Sequence, residues 1–139
     1  MINIANNLGR SVALFPDKTA IHFGKQQLSY AQLDAAASQL ANGLRGLGIG
    51  KGDKVALSCP NLPYFPIAYY AILKLGAIVV PLNILLKAPE IAYHLRDSDA
   101  RVFLCFEGSA ELPMGEEGWE AFGQVDSCEH FFLMPAGAA

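Results

Sequence analysis

A chain of 139 residues with a formal net charge of −3 has the length of one domain, able to bury roughly two thirds of its unfolded surface. Apolar residues make up 53% of it and charged residues only 17%, where about 25% is ordinary. That composition excludes a disordered tail, and ten Lys and Arg scattered among 13 acidic residues argue against a nucleic-acid partner. So greasy a short chain also implies apolar surface that more protein is expected to cover.

The first segment, Asn3 to Phe15, places Ile4, Leu8, Val12 and Phe15 on one stripe of a helix, and Pro16 ends it. Two short β runs follow, Thr19–Phe23 and Gln26–Ser29, joined by Gly24-Lys25, a two-residue hairpin signal. Ser29 and Gln32 have capping-box spacing, and Tyr30, Leu33, Ala37, Leu40, Leu44 and Leu47 then repeat at helical period. Gly46, Gly48, Gly50 and Gly52 end that helix and form a turn. Val55–Cys59 reads as a buried strand, Tyr64–Leu75 as an apolar helix closed by Gly76, and Ile78–Val80 as a second buried strand. Pro89 fits the first turn of a helix running to Asp97, and Arg101–Phe106 is a third strand. A helix over Glu116–Phe122 precedes a fourth strand at His130–Leu133. The rhythm is βαβαβ. The expected fold is α/β: an N-terminal helix and small hairpin, then a mostly parallel sheet with helices on both faces.

Several residue groups invite a chemical reading. Gly46 to Asp53 resembles a phosphate loop in composition only. Arg45 stands where the first Gly belongs and Gly52 where Ser or Thr belongs. The order is also helix, turn, strand, whereas an anion site needs strand, turn, helix. His22, His94 and His130 lack partners at metal-ligand spacing, and Cys128-Glu129-His130 supplies two ligands at most. Glu90 and His94, four residues apart on one helix, form a surface pair rather than a catalytic one. Asp97-Ser98-Asp99 ends a helix, and Tyr64, Phe65, Tyr69 and Tyr70 belong to core. No nucleophile elbow is present. Cys59, Cys105 and Cys128 are odd in number and widely spaced, which fits reduced thiols in the cytoplasm. The opening residues show no basic stretch leading into an apolar one. Between Val55 and Leu86 only Lys74 is charged, yet Pro60, Pro63, Pro66, Gly76 and Pro81 break the stretch below the roughly 20 residues a membrane span requires. Peripheral contact with a bilayer is the remaining membrane use of such surface.

The order of short motifs says more than any single one. Phe15-Pro16-Asp17-Lys18-Thr19-Ala20-Ile21 and Leu28-Ser29-Tyr30-Ala31-Gln32-Leu33 are followed by Gly50-Lys51-Gly52-Asp53-Lys54-Val55-Ala56-Leu57 and Pro60-Asn61. Then come Leu73–Asn83, with its Leu-Gly-Ala-Ile-Val-Val-Pro-Leu-Asn core, and Glu90–Val102. Over about residues 8–106 this series resembles the opening of the adenylate-forming (AMP-binding) acyl-CoA synthetase family, the fatty-acid–CoA ligases included; residues 107–139 match weakly.

The resemblance implies that the 139 residues are one α/β segment, the N-terminal part of a ligase's large domain. The whole enzyme would condense a fatty acid with ATP to an acyl-adenylate, release pyrophosphate, and pass the acyl group to coenzyme A. It also implies that the phosphate-holding loop, the Mg²⁺ ligand and the catalytic Lys lie downstream of these motifs. No catalytic, cofactor-binding or metal-binding residue is therefore expected in this chain, which would be inactive alone, and ATP, Mg²⁺ and coenzyme A belong to the parent. Its partners would be the rest of the ligase chain and a carboxylate substrate. The matched residues take structural roles: Tyr30 and Leu33 anchor the long helix, Gly76 makes a close turn, and Asp53 caps the turn before its strand. Asn83 follows the second strand at its C-terminal end, where ligands bind in open parallel sheets, and is the candidate substrate-binding residue. Two other readings compete. One is a stand-alone α/β module that binds a protein through an uncovered apolar face. The other is a small flavodoxin-like binder of a phosphorylated ligand, which lacks a Gly/Ser/Thr-rich turn after its strands.

Overall fold

Local chemistry fixes the first elements. Residues 2–137 are described in the computed structural model, and helix α1 spans Ala5–Leu14, one turn short of Pro16. Strands β1 (Thr19–Phe23) and β2 (Gln26–Ser29) pair antiparallel around Gly24, whose φ of 58° a side chain would resist. Helix α2 (Tyr30–Gly46) starts in a reciprocal cap: Gln32 N–H donates to Ser29 Oγ at 3.1 Å and Ser29 N–H to Gln32 Oε1 at 2.8 Å. Helix α3 covers Tyr64–Lys74.

These elements make up one of two compact units, Met1–Gly52 with Asn61–Ile78. Its α2–α3 contact is built on Ala37, Ala41 and Ala71, small enough to let the helices approach closely, with Leu40, Tyr70 and Leu75 around them. Asp34 on α2 and Lys74 on α3 form an ion pair at 2.6 Å. At the end of α3, Gly76 (φ 71°) donates to Leu73 and Ala77 donates to Ile72, a Schellman-type closure, while Asn3 Nδ2 takes the Leu73 carbonyl at 2.8 Å. Phe65, Tyr69 and Tyr70 pack ring to ring on α3, as core aromatics do.

The other unit, Asp53–Pro60 with Val79–Ala139, carries the sheet. Strands β3 (Lys54–Ser58), β4 (Ile78–Pro81), β5 (Val102–Phe106) and β6 (His130–Met134) lie in the order β4-β3-β5-β6. β3 and β5 run parallel with Val55 opposite Val102, and β5 and β6 run parallel with Val102 opposite His130. Helices α4 (Ala88–Ser98) and α5 (Met114–Phe122) supply the crossovers into β5 and β6. Ala56, Phe103 and Cys105 on one sheet face form a core with Ile91 and Leu95 of α4 and Met114 and Ala121 of α5. Val55, Leu57, Val102 and Leu104, which alternate with them, are buried as well. Burial of both faces explains why these strands read as unbroken apolar runs. The parallel α/β expectation holds, and each expected element is present within two residues of its expected bounds.

Candidate functional site

In an open parallel sheet the natural place for a ligand is outside the C-terminal strand ends, beside the point where the strand order reverses. Here the chain leaves β3 to form β4 on one side and returns to form β5 on the other. The end of β5 opens into a groove of about 590 Å³ lined by Glu107, Ser109, Glu116, Trp119, Phe131 and Leu133 among others. All of these residues belong to the sheet-bearing unit.

Glycine shapes this groove. Gly108 turns the chain out of β5 at φ 79°, and a Cβ there would lie 2.1 Å from the Leu112 carbonyl oxygen. The loop folds back on itself: Ser109 N–H donates to Leu112 O, Leu112 N–H to Ser109 Oγ, and Gly115 N–H to Glu107 O. Gly115 and Gly118, one turn apart, then let α5 settle onto the sheet. A Cβ on Gly118 would sit 2.9 Å from Cys105 Sγ, and one on Gly115 would sit 2.9 Å from Leu133 Cδ1. With glycines against the sheet, Trp119 turns outward, stacked on Phe122 at 5.8 Å and tilted against Phe131 at 5.6 Å. Glu107 Oε1 accepts from Ala136 N–H at 3.0 Å. The groove therefore offers an aromatic floor with carboxylates at its rim, a lining suited to binding.

The glycine cluster at 46–52 closes α2 and turns toward β3, with Gly48 and Gly52 at positive φ and Gly52 N–H on the Gly76 carbonyl at 3.0 Å. Cys128, Glu129 and His130 do not converge. Glu129 pairs with Arg101, Cys128 Sγ faces the His130 carbonyl at 3.8 Å, and the His130 ring stacks on Phe132. Among the described residues no group of three or more His, Cys, Asp or Glu could hold a metal ion. Glu90 accepts the Lys87 N–H at 3.1 Å, so it caps α4, and His94 packs edge-on against Tyr93. Asp99 ends that helix in the left-handed conformation at φ 56°. Asn83 is exposed after β4, and its Oδ1 holds the Leu85 N–H at 2.8 Å in a local turn. All three thiols are free and buried, and burial pushes Cys59 and Cys128 up to about 11 and Cys105 up to about 12.

Two features escaped the sequence reading. The first is the groove itself, signalled only by Glu107-Gly108-Ser109 after a parallel strand and by the lone Trp. The second is Arg101, whose Nη1 meets Asp53 Oδ2 at 3.0 Å while Nε and Nη2 grip both oxygens of Glu129 at 2.7 and 3.4 Å. This clamp joins the starts of β3, β5 and β6 at the end of the sheet opposite the groove, and gives Asp53 an ion-pair role. The Arg101 hydrogen bond holds the Glu129 carboxyl below the usual range, and the two carboxylates raise the Arg101 guanidinium further above its own.

With this geometry in place, comparison with known proteins identifies the lineage. The chain is 45% identical over 86 residues to a long-chain-fatty-acid–CoA ligase, FadD13, of Mycobacterium tuberculosis, an alignment covering 62% of this chain and 17% of that protein. It is 40% identical over 95 residues to a feruloyl-CoA synthase of Amycolatopsis, covering 68% of this chain and 19% of the relative. Its fold superposes on the crystal structure of the anthranilate–CoA ligase AuaEII, solved in complex with anthranoyl-AMP, with a TM-score of 0.86 and 31% identity; 96% of this chain corresponds to 25% of that one. The chain thus spans about a fifth to a quarter of the length of these relatives. The family model for AMP-binding enzymes matches residues 8–130, well past the last of the recognisable motifs, and the chain belongs to that family.

Proposed function

We propose that this chain is the N-terminal portion of an ATP-dependent acyl-CoA ligase, and that the whole enzyme activates a fatty acid through an acyl-adenylate before transfer to coenzyme A. The observation that carries this reading is the family match over residues 8–130 in a chain spanning only 17% of a fatty-acid–CoA ligase relative. In this reading residues 1–139 are one stretch of the ligase's large domain, and its partner is the remainder of that enzyme. The residues in hand do not fit a triphosphate. The turn after β5 has the strand-to-helix order that suits an anion, yet Glu107 and Glu116 line it. Nor does any Lys or Arg occur from residue 102 to 139. We therefore assign ATP, Mg²⁺, coenzyme A and the reacting groups to the remainder of the enzyme, and no chemical step to this chain. A cytoplasmic location goes with this reading. It is supported by three free cysteines and by the lack, among the described residues, of any helix long and apolar enough to cross a membrane.

Asn83 is assigned to the substrate side of the whole enzyme because it follows β4 at its C-terminal end and its local turn fixes its position. The likeness to a feruloyl-CoA synthase favours an aromatic carboxylate as the second substrate reading. The test is a chimera in which this chain replaces the corresponding segment of the M. tuberculosis fatty-acid–CoA ligase. Acid-dependent acyl-CoA formation is expected with a long-chain fatty acid, and Asn83→Ala should raise KM for the acid several-fold while leaving KM for ATP in place. A folded chimera that forms no thioester from fatty or aromatic acids would overturn the reading.

A further inference from the structure

Charge is divided unevenly along the chain. Up to Arg101 there are ten basic and six acidic residues; from Val102 onward there are seven acidic residues and no Lys or Arg. The same stretch ends in β6, which is the last strand of the sheet among the described residues. Natural edge strands are protected by Lys, Pro, bulges or brevity. β6 reads His-Phe-Phe-Leu-Met, with no Lys or Pro, and pairs with β5 without a register shift.

The backbone of β6 shows which groups remain for a neighbour. His130 N–H donates to Arg101 O, and Met134 O accepts from Glu107 N–H, so these residues turn their backbone toward β5. Strand alternation then turns the N–H and C=O of Phe131 and Leu133 to the outer edge, with their side chains on the α5 face. On that face stand Trp119, 62% exposed, and Leu133, 44% exposed, both lining the groove that Glu107 and Glu116 border. Phe132, 43% exposed, lies on the other face of the same edge.

We propose that the β6 edge and the Trp119 groove form a docking surface for an extended, basic polypeptide segment supplied from outside these 139 residues. The segment adds a fifth strand through the outward groups of Phe131 and Leu133, and sets an Arg or Lys over Trp119 between the Glu107 and Glu116 carboxylates. Backbone pairing supplies the register, and the one-signed charge of residues 102–139 selects a basic strand over an acidic one. The inference stands on this edge alone and does not depend on the ligase reading.

Trp119 is the chain's only tryptophan and therefore reports the event directly. The intact chain is titrated with a synthetic peptide of alternating Val and Arg, and in parallel with its Val and Glu counterpart. The Arg peptide is expected to shift Trp119 emission to the blue, to bind at least about tenfold more tightly than the Glu peptide, and to weaken as salt is raised. Amide exchange at Phe131 and Leu133 should slow on binding, while that of Phe132, already paired with β5, should change little. Leu133→Pro removes an outward donor and should abolish the shift. Glu116→Lys, on the exposed rim of the groove, should weaken the Arg peptide without altering the circular dichroism of the chain. Three outcomes would overturn the proposal: equal binding of both peptides, a blue shift without protection at Phe131 and Leu133, or a shift that follows protein concentration with no peptide present. The last would show that a second copy takes the edge.

Discussion

Gly118 and Gly43 are both helical glycines, and only one of them needs to be glycine. A methyl group at Gly118 would press on Cys105 Sγ at 2.9 Å and Phe103 Cε2 at 3.2 Å, whereas one at Gly43 meets nothing within 4 Å. Gly118→Ala is therefore expected to destabilise by about 1–3 kcal/mol through overpacking. Gly43→Ala should stabilise by about 0.4–1 kcal/mol by restricting the unfolded chain. Urea unfolding of the two variants checks the pair, and equal effects would contradict the packing described for α5. The thiols give a second test at this scale. Pushed to about 11 at Cys59 and Cys128 and about 12 at Cys105, they should stay unreactive toward a disulfide reagent at pH 8 until the chain is denatured, when all three should react. The sign for stability follows. Below about pH 8.5 the thiols are protonated in both states and contribute no pH dependence. Above it the unfolded chain loses their protons first, so stability should fall toward pH 11, by up to about 1.4 kcal/mol per thiol per pH unit.

Between elements, the strongest polar tie in the sheet is the Arg101 clamp on β3, β5 and β6. Because Arg101 depresses the Glu129 carboxyl, the contribution of the pair is fully present above the unfolded carboxyl pKa of about 4.3. It is lost as pH falls through the lower folded value. Glu129→Gln should thus lower the unfolding midpoint at pH 7, and the difference from the parent chain should vanish in strong acid. Combined with Arg101→Ala, its effect should be less than additive, because both substitutions remove the same contact. This clamp was invisible in the sequence, where Asp53, Arg101 and Glu129 are separated by dozens of residues and only the parallel register brings them together. The elements themselves were legible, because apolar period, Gly punctuation and the Ser29–Gln32 spacing act over a few residues. The groove was not, because its walls come from the end of β5, α5 and β6. Apolar periodicity also misleads at α5: two glycines face the sheet there and the tryptophan faces out. Asn83 illustrates a third limit. Its position after β4 could be read, but the groove opens at the end of β5, the strand on the far side of β3.

At the scale of the whole molecule, the chain presents a parallel sheet whose middle strands are buried on both faces, built from the opening motifs of an adenylate-forming family. What the described residues supply is packing: a small-residue helix contact in one unit, a layered α/β core in the other, and a groove whose carboxylates oppose a phosphate. The central claim is that this chain is a scaffold for an acyl-activating enzyme, with the reacting groups held elsewhere in that enzyme. ATP–pyrophosphate exchange by the purified 139-residue chain, measured with long-chain fatty acids and with aromatic acids, tests it most directly. Exchange at the no-enzyme background with every acid is the expected result. Acid-dependent exchange above that background would contradict it.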